Sequence, residues 1–172
     1  LGYYRPSALF AWFYWDEPAG TGALNQRMSN LKGEAGVQWD YIVLIPDPMV
    51  MEVIPGYFSW GVSKIFQTVQ SSSLAKKPEL VLLATWPHPG EGIPAADVDL
   101  YNEVTYRTGR SANIMVAPAG KAWQAAGSPS DYPASLGADE PNADGAYIAA
   151  SALYSRIWGE SASASAYTYN DS

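Results

Sequence analysis

The sequence has no cysteine and a single histidine, His88. Without thiols there is neither a disulfide framework nor a thiolate metal site, and one imidazole cannot assemble a common zinc centre. Carboxylates alone could hold calcium, but Asp139, Glu140, Asn142 and Asp144 lack the spacing of an EF-hand loop. Glycine-rich phosphate motifs are also missing; Gly20-Thr21-Gly22 is too short and follows no convincing strand. No metal and no cofactor is therefore expected. Positive charge is scarce, with ten basic against seventeen acidic residues and a net charge of −7. No basic cluster occurs along the chain, and the acidic excess repels phosphate backbones, which argues against a nucleic-acid partner. An apolar run long enough for a membrane span is absent, as is a basic segment leading into an apolar one. The chain opens on Leu1 without Met, as a processed form or a fragment would.

What is present fits a globular protein. The chain has 172 residues, 48% apolar and 16% charged, so one domain spanning 1–172 is expected, with a core large enough to fold without cross-links. Seven Trp and twelve Tyr are more rings than a core of this size hides with ease. Rings near the surface serve carbohydrate or protein contacts, and plain packing is the competing reading. Asn170-Asp171-Ser172 is formally a glycosylation sequon.

Strand and helix patterns alternate. Tyr41-Ile42-Val43-Leu44-Ile45 is a continuous apolar run stopped by Pro46-Asp47-Pro48, the pattern of a strand buried on both faces. Phe58, Val62, Ile65, Phe66 and Val69 then recur on one face of a helix. Leu80-Val81-Leu82-Leu83-Ala84-Thr85 reads as the next buried strand, ended by Trp86-Pro87-His88-Pro89-Gly90. Asp97 or Asp99 supports a helix start, with Leu100, Tyr101 and Val104 on one face and Gly109 as its stop. A third strand covers Asn113 to Ala117, and a short helix surrounds Lys121 to Ala126. The last helix places Ala146, Ala149, Ala150, Leu153 and Ile157 on its buried face, with Asn142 as N-cap and Gly159 as stop. This order predicts an α/β fold: a three-layer sandwich around a central parallel sheet. Residues 1–38 are an uncertain segment in which Ala8 to Trp15 has the composition of a strand, and 161–172 is a tail suited to an edge strand or a loose end.

In open parallel sheets, sites form outside the carboxyl ends of the strands, which directs attention to the loops after Ile45, Thr85 and Ala117. Four candidate catalytic residues follow, each with a plainer alternative. His88 is a base at such a loop, or a turn residue fixed between Pro87 and Pro89. Asp47 follows the central strand, where it either faces a site or bonds local amides. Asp139 and Glu140 precede the last helix, where negative charge favours the helix dipole whatever else it does. A paired-carboxylate glycosidase from Asp47 and Glu140 would need a separation that sequence does not supply.

Three blocks together resemble the SGNH (GDSL-like) hydrolases. They are Trp39-Asp40-Tyr41-Ile42-Val43-Leu44, then Ala117-Pro118-Ala119-Gly120-Lys121-Ala122-Trp123, then Glu140-Pro141-Asn142 with Gly145-Ala146-Tyr147-Ile148-Ala149-Ala150. They occur in the family's order and cover Trp39 to Gly159. The resemblance implies an acyl-ester hydrolase built on Ser, His and Asp with donors for the oxyanion. The sequence departs from it where that chemistry sits. The family's His position is Glu140 and the Asp three residues earlier is Gly137, and no Gly-Asp-Ser or Gly-Asn-Ser precedes Trp39. Ser7 is the nearest early serine and lacks the flanking glycine and acid or amide. A carboxylate of ordinary pKa is too weak a base to take a serine proton at neutral pH.

Three functions are consistent with this pattern. One is a catalytically degenerate SGNH-like domain kept for binding a carbohydrate or protein. A second is an active carbohydrate esterase or other acyl-ester hydrolase whose nucleophile segment lies outside this chain. The third is a structural subunit of an extracellular filament or surface assembly, its tail adding to a neighbouring sheet. An extracellular or secreted setting is expected for each.

Overall fold

A computed structural model describes residues 3–4, 38–46, 51, 54–86, 98–127 and 143–162. Within them the strands β1 (Tyr3–Tyr4), β2 (Tyr41–Leu44), β3 (Glu79–Leu83) and β4 (Met115–Ala117) form one sheet in the order β1-β2-β3-β4. Every pairing is parallel: Tyr4 lies opposite Leu44, Ile42 opposite Leu80, and Leu82 opposite Val116. Helix α1 (Pro55–Gln70) connects β2 to β3, α2 (Val98–Ala112) connects β3 to β4, and α3 (Ala119–Ala125) and α4 (Ala143–Trp158) follow. This is the α/β architecture with a parallel sheet that the alternation of patterns predicts.

Continuous apolar strands are required because the sheet is covered on both faces. Ile42, Leu44, Leu80, Leu82 and Val116 point to one side, where Phe58, Val62, Ile65 and Val69 of α1 and Tyr101 of α2 meet them. Val43, Val81, Leu83 and Ala117 point to the other, against Ala119 and Trp123 of α3 and Ala152 of α4. The two cores are thus separated by the pleat, and the helices form layers above and below. Burying each large side chain of α1 contributes about 1.5–3 kcal/mol, far more than its intrinsic helix propensity. Pro55 starts α1 at a position where its missing N–H and fixed φ do no harm.

Three local expectations are corrected by packing. In α2, Tyr101 is buried and Val104 half-buried as expected, but Leu100 is exposed, and the buried face also carries Asn102, Thr105, Thr108 and Gly109. Polar residues are tolerated there because their side chains find local acceptors. Asn102 Nδ2 donates to the Val98 carbonyl at 2.7 Å and Thr105 Oγ1 to that of Tyr101 at 2.7 Å, while the Thr108 and Ser59 hydroxyls share a bond of 2.6 Å between α2 and α1. Gly109 does not end the helix. It lies inside α2 against β4, where an added Cβ would meet the Val116 side chain and, at 2.9 Å, the Ile114 carbonyl. The chain reverses one turn later, through Asn113 at φ 53°. In α4, Ala146 and Ala150 are exposed, whereas Gly145 and Ala152 are buried and Ile148, Ala149, Leu153 and Ile157 pack partly against the sheet. Gly159 does stop α4, with φ 71° and its N–H on the Ser155 carbonyl at 3.0 Å. The Ala8 to Trp15 strand and the Asn142 cap fall outside the described residues.

Candidate functional site

The carboxyl ends of β3 and β4 are tied together beyond the regular ladder. Ala84 N–H donates to the Ala117 carbonyl at 2.9 Å, and Gly120 N–H donates to the Ala84 carbonyl at 2.6 Å. The first turn of α3 is thereby drawn onto the backbone that leaves β3. Only a residue without Cβ fits at that contact, since a methyl at Gly120 would lie 2.5 Å from the Thr85 carbonyl oxygen and 2.9 Å from Asn102 Nδ2. Above it, the rings of Trp86 and Trp123 stack with centroids 5.8 Å apart and planes 7° from parallel, and both rings are buried. Both rings belong to the core on the face of the sheet that carries Val43, Val81 and Leu83.

Two polar atoms are buried in the same region, next to Gly120. Thr85 Oγ1 and Asn102 Oδ1 are buried and have no hydrogen-bond partner among the described residues. A hydroxyl can donate or accept and an amide oxygen can only accept, and neither is an acid or base that titrates near neutral pH. Among the described residues, the shifted titrating groups lie elsewhere, on the surface. Asp99 is held below the usual carboxylate range by the hydrogen bond and charge of Lys121, Lys76 is raised by its hydrogen bond to Asp40, and Tyr154 is raised by donating to Glu160. Among the described residues, no three His, Cys, Asp or Glu side chains gather as metal ligands, and no helix is long and apolar enough to cross a membrane.

The four sequence candidates, His88, Asp47, Asp139 and Glu140, lie outside the described residues, as do Ser7 and Gly137. Thr85, Asn102, Gly120 and Trp123 are the residues that meet at the described carboxyl edge. Gly120 and Trp123 stand in the second SGNH-like block, and Thr85 closes the second strand run, so three of the four carry a sequence signal. Asn102 has none, being a polar residue on a helix whose apolar pattern points elsewhere.

No protein-family model matches the chain, and no curated protein matches it. Among solved structures it is similar to LAE5, an alpha/beta hydrolase enzyme from the metagenome of Lake Arreo, Spain. The TM-score is 0.51 at 15% identity, over 78% of this chain and 67% of that one. At such identity the likeness is one of fold: a distant α/β hydrolase-like architecture, without distinction between the SGNH group and other hydrolases of that kind.

Proposed function

We propose that the chain is one SGNH-like domain, acting outside the cell, that has lost ester chemistry and retains a binding role. The observation that carries this reading is the loss of the family's motif residues, with Glu140 at the His position and Gly137 at the Asp position. The described residues that leave β3 and β4 are compatible with it, since Trp86 and Trp123 stack in the buried core there and Thr85 and Asn102 carry a neutral hydroxyl and amide. The purified chain should hydrolyse p-nitrophenyl acetate no faster than buffer and take no fluorophosphonate label. Turnover together with a labelled serine, both abolished by one substitution such as Ser7→Ala, would refute the proposal in favour of an active esterase.

A structural role in a surface assembly is the second reading, favoured by α4. Tyr147, Tyr154 and Trp158 are exposed on one stripe of that helix, with the Tyr154 and Trp158 rings stacked at 5.1 Å. Sedimentation equilibrium decides it: assembly that weakens in Trp158→Ser favours the structural role, and a monomer at all concentrations removes it.

A further inference from the structure

β4 is the last strand of the described sheet, and a groove of about 690 Å³ runs beside it, within the size range of small-molecule sites. Its floor is apolar, formed by Ile114 and Val116 of the β4 segment, Ala122 of α3 and Ala152 of α4. Its rim is cationic. Arg110 comes from the last turn of α2, Arg156 from the last turn of α4, and Lys121 from α3. Sequence shows no basic cluster, yet the fold gathers three of the ten basic side chains at one groove in a chain of net charge −7.

The three cations are not equivalent. Lys121 is neutralised by an ion pair with Asp99. Arg107, one turn before Arg110, is likewise paired with Glu103. Arg110 and Arg156 have no ion-pair partner among the described residues. A basic residue in the last turn of a helix complements the helix dipole, which explains each arginine singly. It does not explain why two such residues, on helices covering opposite faces of the sheet, border the same cavity. Guanidinium forks match the paired oxygens of carboxylate and phosphoryl groups, and Tyr106 and Ser155 add hydroxyls to the rim. The floor, in turn, favours hydrocarbon or a ring.

We propose that this groove binds a small amphipathic organic anion, its carboxylate or phosphoryl group on Arg110 and Arg156 and its apolar body on Ile114, Val116 and Ala152. The site gives the proposed binding role a ligand class, and its test reads no ester hydrolysis, so the two readings fail separately. Anilinonaphthalene sulfonate, which joins an anion to an apolar fluorophore, serves as the reporter. It should bind the full chain one to one, and Arg110→Gln with Arg156→Gln should weaken it about tenfold to a hundredfold, with a matching loss of salt dependence. Arg107→Gln should leave binding unchanged, and the neutral dye phenylnaphthylamine should bind wild type and the double variant alike. Ser155→Trp, which fills the groove from its rim, should exclude both dyes. Displacement of the reporter by laurate or by dodecyl phosphate supports the site and tells which headgroup it prefers. The proposal is overturned if neither displaces it, or if the folded double variant binds the reporter as wild type does.

Discussion

Gly120→Ala tests the packing of α3 onto the end of β3. The new methyl would lie 2.5 Å from the Thr85 carbonyl oxygen and 3.1 Å from its carbon, both backbone atoms that cannot rotate away. Relief requires α3 to shift from the segment leaving β3, which strains the 2.6 Å bond from Gly120 N–H to the Ala84 carbonyl. Overpacking of this kind costs about 1–3 kcal/mol, while the gain from replacing glycine in a helix is at most about 1 kcal/mol. Taken at mid-range, the net loss is about 1 kcal/mol. With a urea dependence of roughly 2 kcal/mol/M, the unfolding midpoint should fall by about 0.5 M at unchanged slope. Gly56→Ala is the matched control, because nothing lies within 4 Å of the position its methyl would take. That variant should hold its midpoint or raise it by a few tenths of a molar, through reduced freedom of the unfolded chain. A Gly120→Ala midpoint equal to or above wild type would refute the reasoning.

Other perturbations probe separate parts of the structure. Phe58→Ala empties a fully buried site between α1 and the sheet and should cost about 3–5 kcal/mol in urea unfolding; a loss under 1 kcal/mol would mean that the core is not built as described. Asn102→Asp places a carboxyl in a buried position, which raises its folded-state pKa above the unfolded value. The variant should therefore approach wild-type stability in acid and lose it as pH rises through the folded pKa, and a difference independent of pH would contradict that burial. Asp99 behaves in the opposite sense, since Lys121 depresses its folded pKa. Its contribution is present above the unfolded pKa and lost as pH falls through the folded one. Lys121→Gln should move the carboxyl titration of Asp99, followed by NMR, back upward, and an unmoved titration would show that the pair does not form in solution.

Much of the fold was legible because it rests on local pattern. The runs at Tyr41–Leu44 and from Leu80 to Leu83 are apolar without alternation because both sheet faces are covered, and the spacing of Phe58, Val62, Ile65 and Val69 marks the face of α1 that meets them. Gly159 stops its helix as expected, since glycine adopts φ 71° without steric penalty. The α2 face was legible only in part, at Tyr101 and Val104. Thr105 and Asn102 are buried because the carbonyls one turn earlier accept their side-chain donors, a condition that hydropathy does not record. Gly109 reads as a stop in the sequence, and only the approach of the β4 segment reveals it as a close contact inside the helix.

The candidate sites divide the same way. The sequence by itself determined that Glu140 and Gly137 stand where the proposed SGNH pattern would carry His and Asp, because residue identity alone decides whether an imidazole and a carboxylate are present at those positions. It also determined the alternation of strand and helix, since periodicity is a property of neighbouring residues. Tertiary structure decided which side chains share a surface. Arg110, Lys121 and Arg156 stand on three helices, and they border one groove because those helices converge beside β4. Thr85, Gly120 and Asn102 meet because α3 is drawn onto the end of β3. Contacts between residues distant in the chain depend on how layers pack, and no local spacing encodes that.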